Sequence, residues 1–272
     1  MDGDFAGPWA QKYGPWALIT GASEGTGAAF AHALADRGIN CILVARRDRP
    51  LQTLAAEIRA KGVQCVAASV DLSAPDASEK VIAAAGDREV GLLISNAGAD
   101  TNGSLFLDAD TAAWDQLIAL NVSTTARNCH HFGGLMRRRG RGGIILVGSG
   151  ACYGGLHGIA VYSAVKAFDL CFGEALWSEL RGHGVEVLNL ILGRTDTPAH
   201  RRILESNGQP IPDNMAKPED VARIGLEQLP HGPIYNWGQS NDVAGYAPNS
   251  PDTRRARIIA IAEMSRAYTG PK

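Results

Sequence analysis

Tyr162 and Lys166 stand four residues apart in AVYSAVKAF, residues 160–168, a run in which Lys166 is the only charged side chain. At that spacing two side chains meet on one face of a helix. A free phenol, with a pKa of about 10, exchanges protons poorly at neutral pH, and a neighbouring ammonium favours its ionised form. The pair is therefore either a proton-transfer unit or two helix residues whose spacing is a coincidence, and its surroundings decide between them.

A second candidate is TGASEGTG, residues 20–27, placed between an apolar run and an amphipathic one. Its glycines, at 21, 25 and 27, permit a tight turn and let backbone approach a pyrophosphate. The helix that follows offers that anion its free N–H groups and positive dipole end. About twenty-five residues beyond Gly21, where an NAD-binding domain offers an acid to the ribose hydroxyls, the second apolar run ends in LVARRDRP. Arg46 and Arg47 occupy that place. An acid repels a 2'-phosphate and arginine binds one through charge-assisted hydrogen bonds, so NADP(H) is predicted over NAD(H).

The elements that must position these groups alternate regularly. Apolar runs at 16–20, 41–45, 63–70, 91–95 and 143–149 are each followed by an amphipathic run, and a sixth apolar run lies at 185–192. Helices are predicted near 24–37, 51–60, 77–85, 112–138 and 160–180, with a further one starting at Pro218. Strands that are apolar on both faces, each leading into a helix, predict an α/β fold with a doubly wound parallel sheet, Rossmann-like, as a single domain over 1–272. The segment from about 194 to 217, rich in Pro, Gly and Asn, reads as a substrate lid. A strand candidate near 232–236 and a C-terminal extension from about 237 to 272 follow. The extension holds a tail helix with a stripe through Ile258, Ile259, Ala262 and Met264.

The 272 residues, 45% apolar and 20% charged, suffice for a full core. A formal charge of -2 gives no attraction to nucleic acid or acidic membranes. The one basic run, Arg137, Arg138, Arg139 and Arg141, falls at a predicted helix end, where cations oppose the dipole. Five cysteines without C-x-x-C point to a reduced, cytoplasmic setting and to no zinc site. Cys129, His130 and His131 are adjacent on a helix and cannot share a metal, so no metal is expected. The N-terminus carries acids where a signal peptide needs positive charge, and no run is long enough to span a membrane.

TGASEGTG, VDL (70–72), SNAG (95–98), LNVST with Asn121, and VGSG with Ser149 ahead of Tyr162 and Lys166 occur here in one order. Together they resemble the short-chain dehydrogenase/reductase family, from about Leu18 to Pro198. The resemblance implies that Gly21, Ser23, Gly25, Thr26 and Gly27 cradle the cofactor. Asp71 and Leu72 would lie near its adenine, and Asn96, Ala97 and Gly98 beside its adenosine ribose. LGRTDT (192–197) would bring Gly193, Thr195 and Thr197 to the nicotinamide. Leu192 replaces the family's usual proline, and Glu24 stands where some NADP-specific members carry a basic residue, which leaves the phosphate to Arg46 and Arg47. Tyr162 would be the general acid in reduction and base in oxidation, assisted by Lys166, which also contacts the cofactor ribose. Ser149 would hold the substrate oxygen and Asn121 link Lys166 to a proton-conducting water. Within the family, KYGPWALITGASEGTGAAF, NCHHF and LGRTDTP are similar to bacterial NADP-dependent 7β-hydroxysteroid dehydrogenases.

Two expectations concern partners. The helices near 112–138 and 160–180 carry apolar residues around much of their circumference, which predicts a homo-oligomer; the resemblance implies a dimer or tetramer. Ile203, Leu204, Pro210, Ile211, Pro212 and Met215 in the lid predict a bulky, hydrophobic secondary alcohol or ketone, hydroxysteroid-like first. The alternatives are a reductase of a small-metabolite or acyl-thioester carbonyl, and a noncatalytic NADP(H)-sensing protein.

Overall fold

The computed structural model describes residues 7–99, 103–108 and 110–237, with the side chain of Trp237 excepted. The predicted tail helix with Ile258, Ile259, Ala262 and Met264, and the rest of the C-terminal extension beyond Trp237, lie outside the described residues.

Seven strands form one sheet: β1 (Trp16–Thr20), β2 (Asn40–Ala45), β3 (Cys65–Ser69), β4 (Val90–Ser95), β5 (Gly142–Ser149), β6 (Val185–Leu192) and β7 (Ile234–Trp237). Their order is β3-β2-β1-β4-β5-β6-β7 and every pairing is parallel. Side chains alternate between two cores. Ala17, Ile19, Cys41, Leu43, Ile145, Leu188 and Leu190 face one side, and Leu18, Ile42, Val44, Ile144, Leu146 and Val187 the other. Burial on both faces is why these strands read as unbroken apolar runs.

Helices α2 (Gly25–Ala35), α3 (Asp48–Ala60) and α9 (Pro218–Gln228) cover the first face. Helices α4 (Ala77–Ala85), α6 (Thr125–Arg139) and α7 (Ala160–Leu180) cover the second. Two elements had no counterpart in the sequence reading: a short α1 (Pro8–Tyr13), and α8 (Pro198–Ser206) inside the segment read as an irregular lid. The basic run closes α6, and Arg139 donates to Val90 O at 2.7 Å while Arg141 pairs with Glu89.

The predicted helix near 112–138 needs a correction. It is α5 (Thr111–Ile118), a wider π-helical turn (Ala119–Thr124) and then α6. Asn, Val, Ser and Thr in that turn are weak helix formers, and two side chains compete for its carbonyls. Asn121 Nδ2 donates to Leu117 O at 3.0 Å and Thr125 Oγ1 to Leu120 O at 3.4 Å. Such turns recur at functional sites, and this one carries Asn121.

Chain order reverses between β1 and β4, so their carboxyl ends diverge and leave a crevice, the usual ligand position of such sheets. Helix α7 is held against β6 by a close approach: a Cβ on Gly173 would collide with the Asn189 side-chain amide. Asn189 itself is buried, with Nδ2 donating to Pro233 O and Leu170 O. Gly173→Ala is accordingly expected to lower unfolding free energy in urea by about 1 to 3 kcal/mol, as overpacking does. Because Gly→Ala in an uncrowded helix stabilises by about 1 kcal/mol, a stabilised variant would contradict this contact.

Candidate active site

The crevice between β1 and β4 is closed at its base by buried side chains. Thr20 Oγ1, at the end of β1, accepts from the N–H groups of Asn96 and Ala97 at 3.0 and 3.2 Å and donates to Ile94 O. Asn96 Nδ2 returns two bonds of 3.1 Å, to Thr20 O and Gly21 O. The Asn96 amide is thus spent on holding the glycine loop to β4. Gly21 turns the chain at φ +65°, and a Cβ there would sit 2.9 Å from Ala97 Cα. Thr26 and Gly27 are buried at the start of α2, which follows the glycine loop and whose first N–H groups have no side-chain cap.

Arg46 and Arg47 are exposed just past β2. Arg47 contacts the glycine loop twice, at Glu24 (2.7 Å) and at Ser23 Oγ (3.4 Å). Glu24 also binds Arg202 of α8. Partial burial pushes the Glu24 carboxyl up, but Arg202 and Arg47 hold it below the usual carboxylate range. Asp71 accepts from Ser73 N and Oγ, which lowers its carboxyl, and Arg46 lies close enough to add to that effect. Leu72 is buried, and its carbonyl accepts from Thr124 of the π-helical turn.

On the other flank Tyr162, Lys166 and Asn121 come together, and Ser149 ends the adjoining strand. Lys166 of α7 is 3% exposed and lies 5.9 Å from the centroid of the Tyr162 ring. Its Nζ donates to Val147 O of β5 at 3.2 Å and to Asp169 Oδ2 at 3.0 Å. Asn121 is 1% exposed. A Cβ on Gly98 would lie 2.9 Å from Lys166 Nζ and collide with Asn121 Oδ1, so that glycine lets the two groups share one niche. Ser149 ends β5 two residues beyond Val147, with Oγ accepting from Ala151 N at 3.3 Å. A phenol, a serine hydroxyl and a buried ammonium at the carboxyl end of a sheet form a unit able to bind an oxygen and move a proton to or from it.

Beyond β6, Thr195 is buried and bridged to Ala216, so both ends of the 194–217 segment are fastened together. Thr197 Oγ1 caps α8 by accepting from His200 N at 3.1 Å, and a Cβ on Gly25 would meet the Thr197 side chain at 3.0 Å. Gly193 lies just before this bridge, its carbonyl facing Thr195 Oγ1 at 3.5 Å. A cavity of about 250 Å³ opens beside the start of α7, lined by Phe106, Trp114, Leu117, Ile159 and Val161 among others. A larger one, about 730 Å³, lies at the opposite ends of β1 and β2 beside Pro15, Ile39 and Asn40, away from all these groups.

Residues 15–208 match the model of the family described as short chain dehydrogenase. The chain belongs to the short-chain dehydrogenase family. It is 34% identical over 255 residues to a 7beta-hydroxysteroid dehydrogenase of Clostridium sardiniense, covering 93% of this chain and 97% of that one. A solved structure of a 7beta-hydroxysteroid dehydrogenase superposes with a TM-score of 0.82 and 31% identity, over 91% of this chain and 98% of the other. A short-chain dehydrogenase from Sphingobium yanoikuyae, solved with NADPH, gives 0.77 and 28%, over 90% and 95%. This short-chain dehydrogenase is therefore an oxidoreductase that takes a nicotinamide cofactor and a small-molecule substrate. Among the described residues no helix is long and apolar enough to cross a membrane.

Sequence reasoning missed Thr20, Arg202 and Asp169. For Asp169 there was a signal, an acid about one turn beyond Lys166 in the most apolar part of the helix. Thr20→Val leaves the Asn96 and Ala97 N–H groups without an acceptor. It is expected to cost about 1 to 3 kcal/mol in urea unfolding, with most of the loss recovered in Thr20→Ser.

Proposed function

We propose that this enzyme is an NADP(H)-dependent dehydrogenase or reductase of a bulky, hydrophobic secondary alcohol or ketone, hydroxysteroid-like. The observation that carries the chemistry is the Tyr162–Lys166 pair of α7, with Nζ buried beside Asn121, at the sheet end where Ser149 closes β5. The bound nicotinamide supplies the hydride acceptor in oxidation and the donor in reduction. The residues fit such a cofactor: the N–H groups of α2 suit a pyrophosphate, and Gly21 keeps the loop low enough for it to approach. Ser23, Gly25, Thr26 and Gly27 complete that cradle, with Asp71 and Leu72 toward the adenine and Asn96, Ala97 and Gly98 toward its ribose. Gly193, Thr195 and Thr197 form the wall on the nicotinamide side.

Arg46 and Arg47 bind the 2'-phosphate. Glu24 does not oppose them: it is already paired with Arg47 and Arg202 and keeps Arg47 folded toward the glycine loop. The NADPH in the Sphingobium structure supports the same preference.

In reduction Ser149 Oγ holds the substrate oxygen and Tyr162 gives it a proton; in oxidation the phenolate takes that proton back. Lys166 supplies the positive charge that eases both transfers, and Asn121 keeps its niche polar. The segment 194–217 serves as the substrate lid. Ile203, Ile211 and Met215 there are partly exposed, and Phe106, Trp114 and Val161 line the cavity near Tyr162, which supports an apolar substrate. The hydroxysteroid dehydrogenases among the relatives support the steroid class. Exposed Phe106, Leu107 and Ile118 support self-association as a dimer or tetramer.

Tyr162→Phe is expected to lower kcat by about 10²-fold or more while NADPH binding, followed by fluorescence, persists. The substrate assignment is tested by kcat/KM for a 7-ketosteroid against a short keto ester, and preference for the small ketone would overturn it. With the cofactor varied instead, the wild type is expected to prefer NADPH over NADH, and Arg46→Asp with Arg47→Ala to abolish or reverse that preference.

A further inference from the structure

Asp169 is 5% exposed and touches Lys166 with one carboxylate oxygen; the other, Oδ1, is buried with no protein donor. An acid in so dry a place is costly unless it acts on its neighbour. Its neighbour is the ammonium that faces Tyr162. The groups turned toward this pair are few. On α7 itself there are Tyr162 and the pair; Cys152 approaches Lys166 from the turn after β5, Asn121 comes from the π-helical turn, and Cys129 of α6 faces Asp169. Burial and Asp169 push the Cys129 thiol up to about 12, so it stays neutral. Among the described residues, Asp169 is thus the one acid in contact with the Lys166 ammonium.

Burial opposes the charge on Lys166, yet Asp169, aided by Tyr162 and Cys152, keeps the ammonium above the usual lysine range. Burial likewise lifts the Asp169 carboxyl, and Lys166 limits the rise. A carboxylate 3.0 Å from Nζ also opposes the field that the lysine casts on the phenol.

Resting on the reading of Tyr162 as the proton-transfer group, we propose that Asp169 is a positioning residue that tempers the Lys166 charge. The phenol then holds its proton to higher pH, and the site is set to donate it, serving carbonyl reduction at neutral pH. The charge balance is simple. With Asp169 the phenol faces an ion pair of zero net charge, and without it a bare cation that draws the proton off earlier.

The test uses full-length enzyme with NADP+ bound and tyrosine labelled with carbon-13 at Cζ. The Tyr162 resonance is identified by its loss in Tyr162→Phe. In Asp169→Asn its titration midpoint is expected about 1 to 2 pH units lower than in the wild type, and near the wild-type value in Asp169→Glu. The acid limb of the oxidation profile, measured with a 7-hydroxysteroid, moves the same way. Asp169→Leu gives the same shift where the Asn variant does not fold. A midpoint that stays in place, or that rises because Lys166 has lost its proton, overturns the proposal. If Tyr162→Phe keeps normal turnover, the catalytic reading fails instead, whatever the resonance does.

Discussion

A lysine ammonium withdrawn from water at the end of a parallel sheet is the constraint around which this molecule is arranged. Each element near it has a feature that is poorly explained without it. Strand β5 offers Val147 O to Nζ; helix α7 buries an acid one turn on; and Gly98 forgoes a side chain so that Asn121 and Nζ can approach. The π-helical turn follows from the same demand. A regular helix from α5 into α6 would place Asn121 elsewhere on its circumference, and the wider turn sets it against the niche at the expense of regular hydrogen bonds. Removing one member of a buried ion pair costs about 3 to 5 kcal/mol in general, so these arrangements are mutually dependent.

The other flank is built on backbone and not on charge. Thr20, Gly21, Asn96 and Ala97 tie the diverging ends of β1 and β4 with four hydrogen bonds of 3.0 to 3.2 Å, two of them to a hydroxyl buried at the strand end. This rigid base leaves the charged groups at the rim free to serve recognition. Arg46, Arg47, Glu24 and Arg202 are exposed or half-exposed, and pairs of that kind stabilise a fold by little. Their worth lies in orientation, because they fix where positive charge faces the glycine loop.

What could be read from the sequence divides along the same line. Strands apolar on both faces announce themselves, because burial on two sides leaves few polar residues; the boundaries of β6, α4 and α7 come out as expected. Local motifs were equally plain, since glycines, Tyr162 and Lys166 are set by chemistry at fixed spacing. Tertiary bargains were not. Helix α8 hid in a Pro- and Gly-rich segment because its start rests on the Thr197 cap and on contact with Gly25, neither visible in composition. The π-helical turn has no pattern of its own, and weak helix formers occur in many regular helices. Asp169 was one of three acids on α7, with Glu174 and Glu179, and only the fold shows that it turns inward to Lys166.

These contacts also explain why α7 is both long and tightly seated. Tyr162, Lys166 and Asp169 occupy its first half, so the helix must be fixed from its second half, where Gly173 lies directly on Asn189 of β6 and Leu176, Trp177 and Leu180 pack into the core. A displacement there would move the phenol relative to Ser149, which is fixed independently by β5. The segment after β6 is anchored at the same level of the sheet through the Thr195 bridge to Ala216, and α8 returns across the glycine loop through Thr197 and Arg202. The glycine loop and the segment after β6 are therefore in direct contact, so that Gly25 and Glu24 on one side of the crevice help set the position of α8 on the other. In such an arrangement the geometry at Tyr162 depends on contacts well beyond its own helix face, which is the physical reason that the motif by itself says so little and the fold around it so much.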